Sequence, residues 1–143
     1  MSQDLDDPKK ATLFCDGASS GNPGDSGIGI WLSVGHQDVA ISEYIGPSTN
    51  NIAEYRALIR GIQEARKFGV TIIHIYTDSE LMVKQIKGYY KVKSSNLISL
   101  HEKAVSLLKD FKEFTIVHIP REKNQKADVL AKHAIKTKLN KNC

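Results

Sequence analysis

The chain has 143 residues, 41% hydrophobic and 25% charged, which suits one compact domain with its own core. Its formal net charge of +4 is mildly basic; no apolar run approaches membrane-span length and no charged-then-apolar leader opens the chain, so no membrane partner and a cytoplasmic location are expected. Cys15 and Cys143 are the only cysteines and supply neither a disulfide framework nor a paired metal motif, which agrees with an intracellular protein.

Residues 1–10, with the run SQDLDDPKK, read as a flexible polar arm, ahead of a single domain over 11–139 and a basic tail over 140–143. ATLFCDG reads as a buried strand stopped by glycine, and ASSGNPGDSG as a turn region. IGIWLSV and VAISEYIG are two β-rich runs separated by GHQD, so the first third forms an antiparallel meander. Apolar positions 52, 55, 58, 59, 62, 65 and 68 predict a helix over 51–68, closed by Gly69. TIIHIYT is a β-branched strand and SELMVKQIKG a short helix ending at glycine. A helix over 97–111, the strand FTIVHIP and a last helix over 124–139 follow. The order βββαβααβα implies an α/β fold: a mixed five-stranded sheet, three antiparallel strands then two parallel, flanked by helices.

Four acids stand out against this frame. Glu54 lies on one helical line with Leu58, Ile62 and Ala65, where an apolar residue is expected. Asp128 sits beside Ala127, Ala131 and Ile135 on the inward stripe of the last helix. Asp16 ends the first strand and Asp78 the fourth. Each has an ordinary alternative: Asp16 as a turn residue, Asp78 as a helix cap, Asn51 and Glu54 as a capping box, Asp128 as a complement to the helix dipole. Capping, however, does not require acids on the apolar faces of two helices. If the four converge, such close like charges would be protonated unless cations are present. Carboxylate oxygens without histidine or thiolate favour a hard ion, Mg²⁺ or Mn²⁺. Two divalent ions would balance four carboxylates, and a pair roughly 3.5–4 Å apart clamps the attacking and leaving oxygens of a phosphodiester.

KQIKGYYKVK packs Lys84, Lys87, Lys91 and Lys93 around Tyr89 and Tyr90. Cations beside aromatics suit a phosphate backbone with sugars or bases stacked nearby; a solvated helix end is the alternative. GASSGNPG lacks the Lys-Ser/Thr of a P-loop and leads into a strand, which argues against a phosphate cradle.

DGASSGNPG at 16–24, TNNIAEYRAL at 49–58, YTDSELMVKQIKG at 76–88 and HIPREKNQKADVLA at 118–131 together resemble type 1 ribonuclease H, in family order. The resemblance implies an endonuclease that cuts the RNA strand of an RNA–DNA hybrid, leaving 5′-phosphate and 3′-hydroxyl ends. It assigns Asp16, Glu54, Asp78 and Asp128 to the metals, and Asn22, Thr49, Asn50, Asn51 and Gln85 to the nucleic-acid strands. Uncharged polar groups suit that task, because a 2′-hydroxyl both donates and accepts. Only GYYKVKSSN stands where some members carry a long basic protrusion, so hybrid affinity is expected from Lys87, Lys91 and Lys93. The arm before Asp16 is too short for a separate hybrid-binding domain, and a monomer is expected. For the mobile group that many members carry before the last aspartate, ungapped counting gives His118. Arg121 in the following loop is the favoured alternative. A non-catalytic module of the same fold, or another nuclease of it, are the rival readings. All four acids and the DGAS and Asn-Asn blocks argue against them.

Overall fold

The structure is a computed structural model that describes residues 9–141. β1 (Lys10–Gly21), β2 (Gly24–Val34) and β3 (Gln37–Ser48) form the meander. α1 (Asn50–Lys67), β4 (Ile72–Thr77), α2 (Glu80–Ile86), α3 (Ser95–Lys109), β5 (Glu113–His118), a 3₁₀ turn at Arg121–Lys123 and α4 (Gln125–Lys141) follow. The sheet order is β3-β2-β1-β4-β5; β1 pairs antiparallel with β2 and parallel with β4, and β4 parallel with β5. This is the expected mixed sheet.

Strand alternation sends Leu13, Cys15, Ile28, Ile30, Leu32, Ile73 and Ile75 into one buried cluster with Leu58 and Ile62 of α1 and Leu97 and Leu108 of α3. Each such aliphatic side chain contributes about 1.5–3 kcal/mol of transfer free energy. α4 covers the opposite face. A Cβ added at Gly27 or Gly29 would collide with the α4 backbone at Ala131 or Ala127. Asp16 is the register partner of Gly29, so its side chain points to the α4 side.

The glycines also explain the main difference from the sequence expectation. The segment 18–27, read as a turn region, is mostly strand: β1 runs on to Gly21 and β2 starts at Gly24, leaving a turn at Asn22–Pro23. Gly17 is not a strand terminator either. A Cβ there would overlap the Ala53–Glu54 peptide, so the missing side chain is what lets α1 touch the sheet. Asp16 therefore lies within a strand rather than at its end. β5 stops at His118, two residues before the expected end: the Ile119 N–H makes the last ladder bond, to the Thr77 carbonyl, and Pro120 has no N–H to continue it. Residues 1–8 of the expected arm lie outside the described residues, while Lys10 already belongs to β1. α4 continues through Lys141, past residue 139 where the domain was expected to end; 142 and 143 of the expected tail lie outside the described residues.

Candidate active site

Thr49 is the N-cap of α1, its Oγ1 accepting from the Ile52 N–H at 3.3 Å. The capping box considered for Asn51 and Glu54 therefore does not form, and Glu54 lies beyond the first turn. Its Oε1 instead accepts the Gly17 N–H at 2.8 Å, a bond across 37 residues that ties α1 to β1 beside Asp16. Ser79, not Asp78, caps α2, accepting from the Met82 N–H at 3.3 Å. That leaves the Asp78 carboxylate at the C-terminal end of β4, next to β1. One oxygen from each of Asp16, Glu54 and Asp78 lies within 4.8 Å of the others.

Asp128, in the first turn of α4, lines the same cleft of about 780 Å³ and reaches this triad through Asp16, with which it shares a hydrogen bond. Its oxygens face Lys132 Nζ at 3.2 Å, one helical turn on, and an Arg121 guanidinium nitrogen at 3.7 Å. The four acids thus form one group, with Asp128 joined to it through Asp16 and flanked by the two cations.

Burial first, then Glu54 and Asp78, pushes the Asp16 carboxyl well above the ordinary carboxylate range. Burial likewise raises Glu54, partly offset by the Gly17 N–H. Asp128 moves the other way: the raising effect of burial is outweighed by hydrogen bonding with Asp16 and by Lys132 and Arg121. Carboxylates held together at such a cost want a cation, and an all-oxygen donor set fits a hard divalent ion. Asp16, Glu54 and Asp78 could hold one directly, with Asp128 beside Asp16 in the same cleft.

Asn50 lines the cleft, and its N–H donates to Asn22 Oδ1 at 3.0 Å, which holds the start of α1 against the β1–β2 turn. Asn51 is exposed beside it. Arg121 lines the cleft; His118, the last residue of β5, is exposed and is not among the lining residues. Gln85, expected to face the substrate, turns inward: it is 6% exposed and its Oε1 accepts from the Tyr55 hydroxyl at 2.6 Å. α2 presents it to the core because it follows Met82 and Val83 on the buried side. Lys87, Lys91 and Lys93 are exposed around the α2–α3 connection, where Tyr89 is 73% exposed. Lys84 is engaged instead, 3.3 Å from Glu80 and over the Tyr90 ring.

Three features in or beside the cleft were not anticipated from the sequence. Lys132 and Lys136 line the cleft, and the spacing of Lys132 four residues after Asp128 was the available signal. Gly17 supplies the N–H that orients Glu54. Asn124, 1% exposed, donates to the Cys15 carbonyl at 3.0 Å and so fastens the start of α4 to the strand residue before Asp16. No sequence pattern marks that contact, which spans 109 residues.

A family model described as reverse transcriptase-like matches residues 14–134. The chain is 40% identical over 129 residues to a bifunctional protein of Mycobacterium tuberculosis, with 88% of this chain and 35% of that protein covered. It thus spans about a third of the length of that relative. It is 34% identical to ribonuclease H of Chlorobium phaeobacteroides, covering 90% of this chain and 97% of the relative. Among solved structures, LC11-RNase H1 in complex with an RNA/DNA hybrid superposes with a TM-score of 0.82 at 36% identity, covering 90% of this chain and 99% of that one. A shared sheet, a near full-length match and acids gathered in one cleft leave one conclusion: the chain belongs to the ribonuclease H family.

Proposed function

We propose that this protein is a divalent-metal-dependent endonuclease that hydrolyses the RNA strand of RNA–DNA hybrids, giving 5′-phosphate and 3′-hydroxyl ends. The observation that carries this reading is the convergence of Asp16, Glu54 and Asp78 within 4.8 Å, with Asp128 lining the same cleft. The hybrid bound to LC11-RNase H1 supports the substrate class.

Asp16, Glu54, Asp78 and Asp128 would together hold two Mg²⁺, or Mn²⁺, per site. Such ions, when bound, activate water and stabilise charge on the phosphodiester oxygens. The Gly17 N–H fixes the Glu54 carboxylate so that its free oxygen faces the cleft. Arg121 and Lys132 bring positive charge to the Asp128 side, where a phosphate would enter. Arg121, in the cleft, is the better placed mobile group; His118 is the alternative. Asn22, Asn50 and Asn51 gather at one end of the site and offer the donor and acceptor pairs that a 2′-hydroxyl needs. The Thr49 hydroxyl, already accepting within α1, keeps a proton to donate to a phosphate of the DNA strand. Lys87, Lys91 and Lys93 extend the phosphate contacts. No described helix is long and apolar enough to cross a membrane, and we take the protein to act as a cytoplasmic monomer.

The test compares cleavage of matched hybrid, RNA duplex and DNA duplex, each with Mg²⁺ and with chelator. Cutting of the hybrid well above RNA duplex, none of DNA, and none in chelator is expected. A DNA duplex carrying a run of four ribonucleotides should be cut far better than one carrying a single ribonucleotide, because several 2′-hydroxyls are read together. Robust cutting of all-DNA duplex, or activity surviving metal removal, would overturn the reading.

A further inference from the structure

The α4 side of the sheet holds a second feature that the cleavage site does not use. Register pairing places Trp31, Phe14, Tyr76 and Val117 side by side across β2, β1, β4 and β5. Partnered residues share a face, so the four form one row about 14 Å across three inter-strand gaps. The Phe14 and Tyr76 rings stack with centroids 5.1 Å apart, and Val117 is 39% exposed. The next row on this face is Ser33, Thr12, His74 and Thr115, all polar and half-buried. Soluble sheets bury such aromatic rows under a helix, yet this one is only partly covered.

A cavity of about 290 Å³ opens at the Trp31–Phe14 end of the row, walled on its other side by Glu122, Lys123, Asn124 and Lys126. Lys126 Nζ lies 4.2 Å from the centre of the Trp31 ring. Asn124 contributes a second oddity. Its Nδ2 is bound to Cys15, but its Oδ1 is buried without a hydrogen-bond partner among the described residues. Two lysines against one glutamate make this wall net positive.

We propose that this cavity and the ring row beyond it form a binding site for single-stranded nucleic acid, on the opposite side of the 121–128 segment from the cleavage cleft. The rings supply π-faces that accept any base, and Lys123 and Lys126 supply charge for the backbone. Lys126 occupies the Trp31 ring face in the free protein. Moving that ammonium onto a phosphate opens the face to a base, so that an ion pair and a stack replace one cation–π interaction. Polar Ser33, Thr12, His74 and Thr115 flank the path without specifying a base. The site goes beyond the cleavage reading and does not depend on it, since the rings and lysines are outside the acid cluster.

Trp31 is the only tryptophan of the chain, so its emission reports on this cavity alone. Titrating the metal-free protein with a short oligothymidylate should quench it saturably. Phe14→Leu should weaken that binding about tenfold, as expected for removal of one stacking platform. Lys123→Ala with Lys126→Ala should lower the salt slope by about 1.4, two single-strand phosphate contacts at about 0.7 each. Because those lysines are exposed, that double variant retains its fold and settles the matter even if Phe14→Leu melts early. Both variants should cut blunt-ended hybrid as the parent does, which separates this site from failure of the cleavage reading. Absence of quenching would overturn the proposal. So would equal quenching by polyphosphate, which lacks bases, or emission that changes with protein concentration alone, which would mark the face as a contact between copies.

Discussion

Glu54→Gln should stabilise the metal-free protein above neutral pH while abolishing cleavage. The glutamine amide oxygen can still accept the Gly17 N–H, so the tie between α1 and β1 is kept and only the charge is lost. In the parent, burial and then the charge of Asp78, opposed by the Gly17 N–H, raise Glu54 from 4.5 to about 8. As pH rises, the unfolded chain gives up this proton near pH 4.5, while the folded chain keeps it until near pH 8. The stability linked to the proton is therefore complete below pH 4.5 and is lost as pH climbs through 8. One proton held more tightly by the folded state corresponds to about 1.4 kcal/mol lost per pH unit. Over the three units from pH 5 to 8 that is at most about 4 kcal/mol, set against a total of about 5–15 kcal/mol for a typical domain. Asp16, raised in the same direction, steepens the parent's fall further. The assay is urea unfolding in chelator at pH 5, 6, 7 and 8. The parent should lose stability steadily, and Glu54→Gln should lose less and end above it at pH 8. Mg²⁺ at about a hundredfold over its dissociation constant should return about 2.7 kcal/mol to the parent, and less to the variant. A parent whose stability stays flat across this range, or a variant weaker than it at pH 8, would refute the account of Glu54 as a charge held in wait for a cation.

Gly17→Ala places a methyl group against the Ala53–Glu54 peptide and should cost about 1–3 kcal/mol in urea unfolding, with loss of cleavage because the Gly17 N–H and Glu54 part. Asp78→Asn should nearly abolish cutting while hybrid binding, read by gel shift, stays equal or improves, since one negative charge facing phosphate is gone. Alanine at Lys87, Lys91 and Lys93 should weaken hybrid binding and lower its salt slope by about 0.9 for each phosphate no longer neutralised; an unchanged slope would return these lysines to plain solvation. Chelator alone should stop cleavage and leave the circular dichroism spectrum near pH 5 unchanged, because the core beneath the acids is already packed.

Periodicity and turn chemistry were enough to order the nine elements of the sheet and its helices, because both signals act over a few residues. Glu54 was conspicuous for the same local reason: a charge interrupting the line of Leu58, Ile62 and Ala65 needs a partner wherever the rest of the chain lies. The resemblance of four blocks then pointed to all four acids together. Tertiary structure decided what local signals could not carry. Glycine in DGASSGNPGDSGIG has one appearance in sequence and two uses in space, the tight turn around Asn22–Pro23 and the admission of helix backbone. At Gly17, Gly27 and Gly29 it admits helix backbones to the sheet, so strand continues where a turn was expected. Gln85 was matched by its place in a motif, yet the roll of α2 commits it to Tyr55. Asp128 meets Asp16 on one side and Lys132 and Arg121 on the other, a set of partners that depends on side-chain positions around a cleft. The Trp31–Phe14–Tyr76 row joins the β1–β2 hairpin to the distant β4 and exists only in the register that pairs them. Such pairings join residues tens of positions apart, and no pattern within one turn or one strand encodes them.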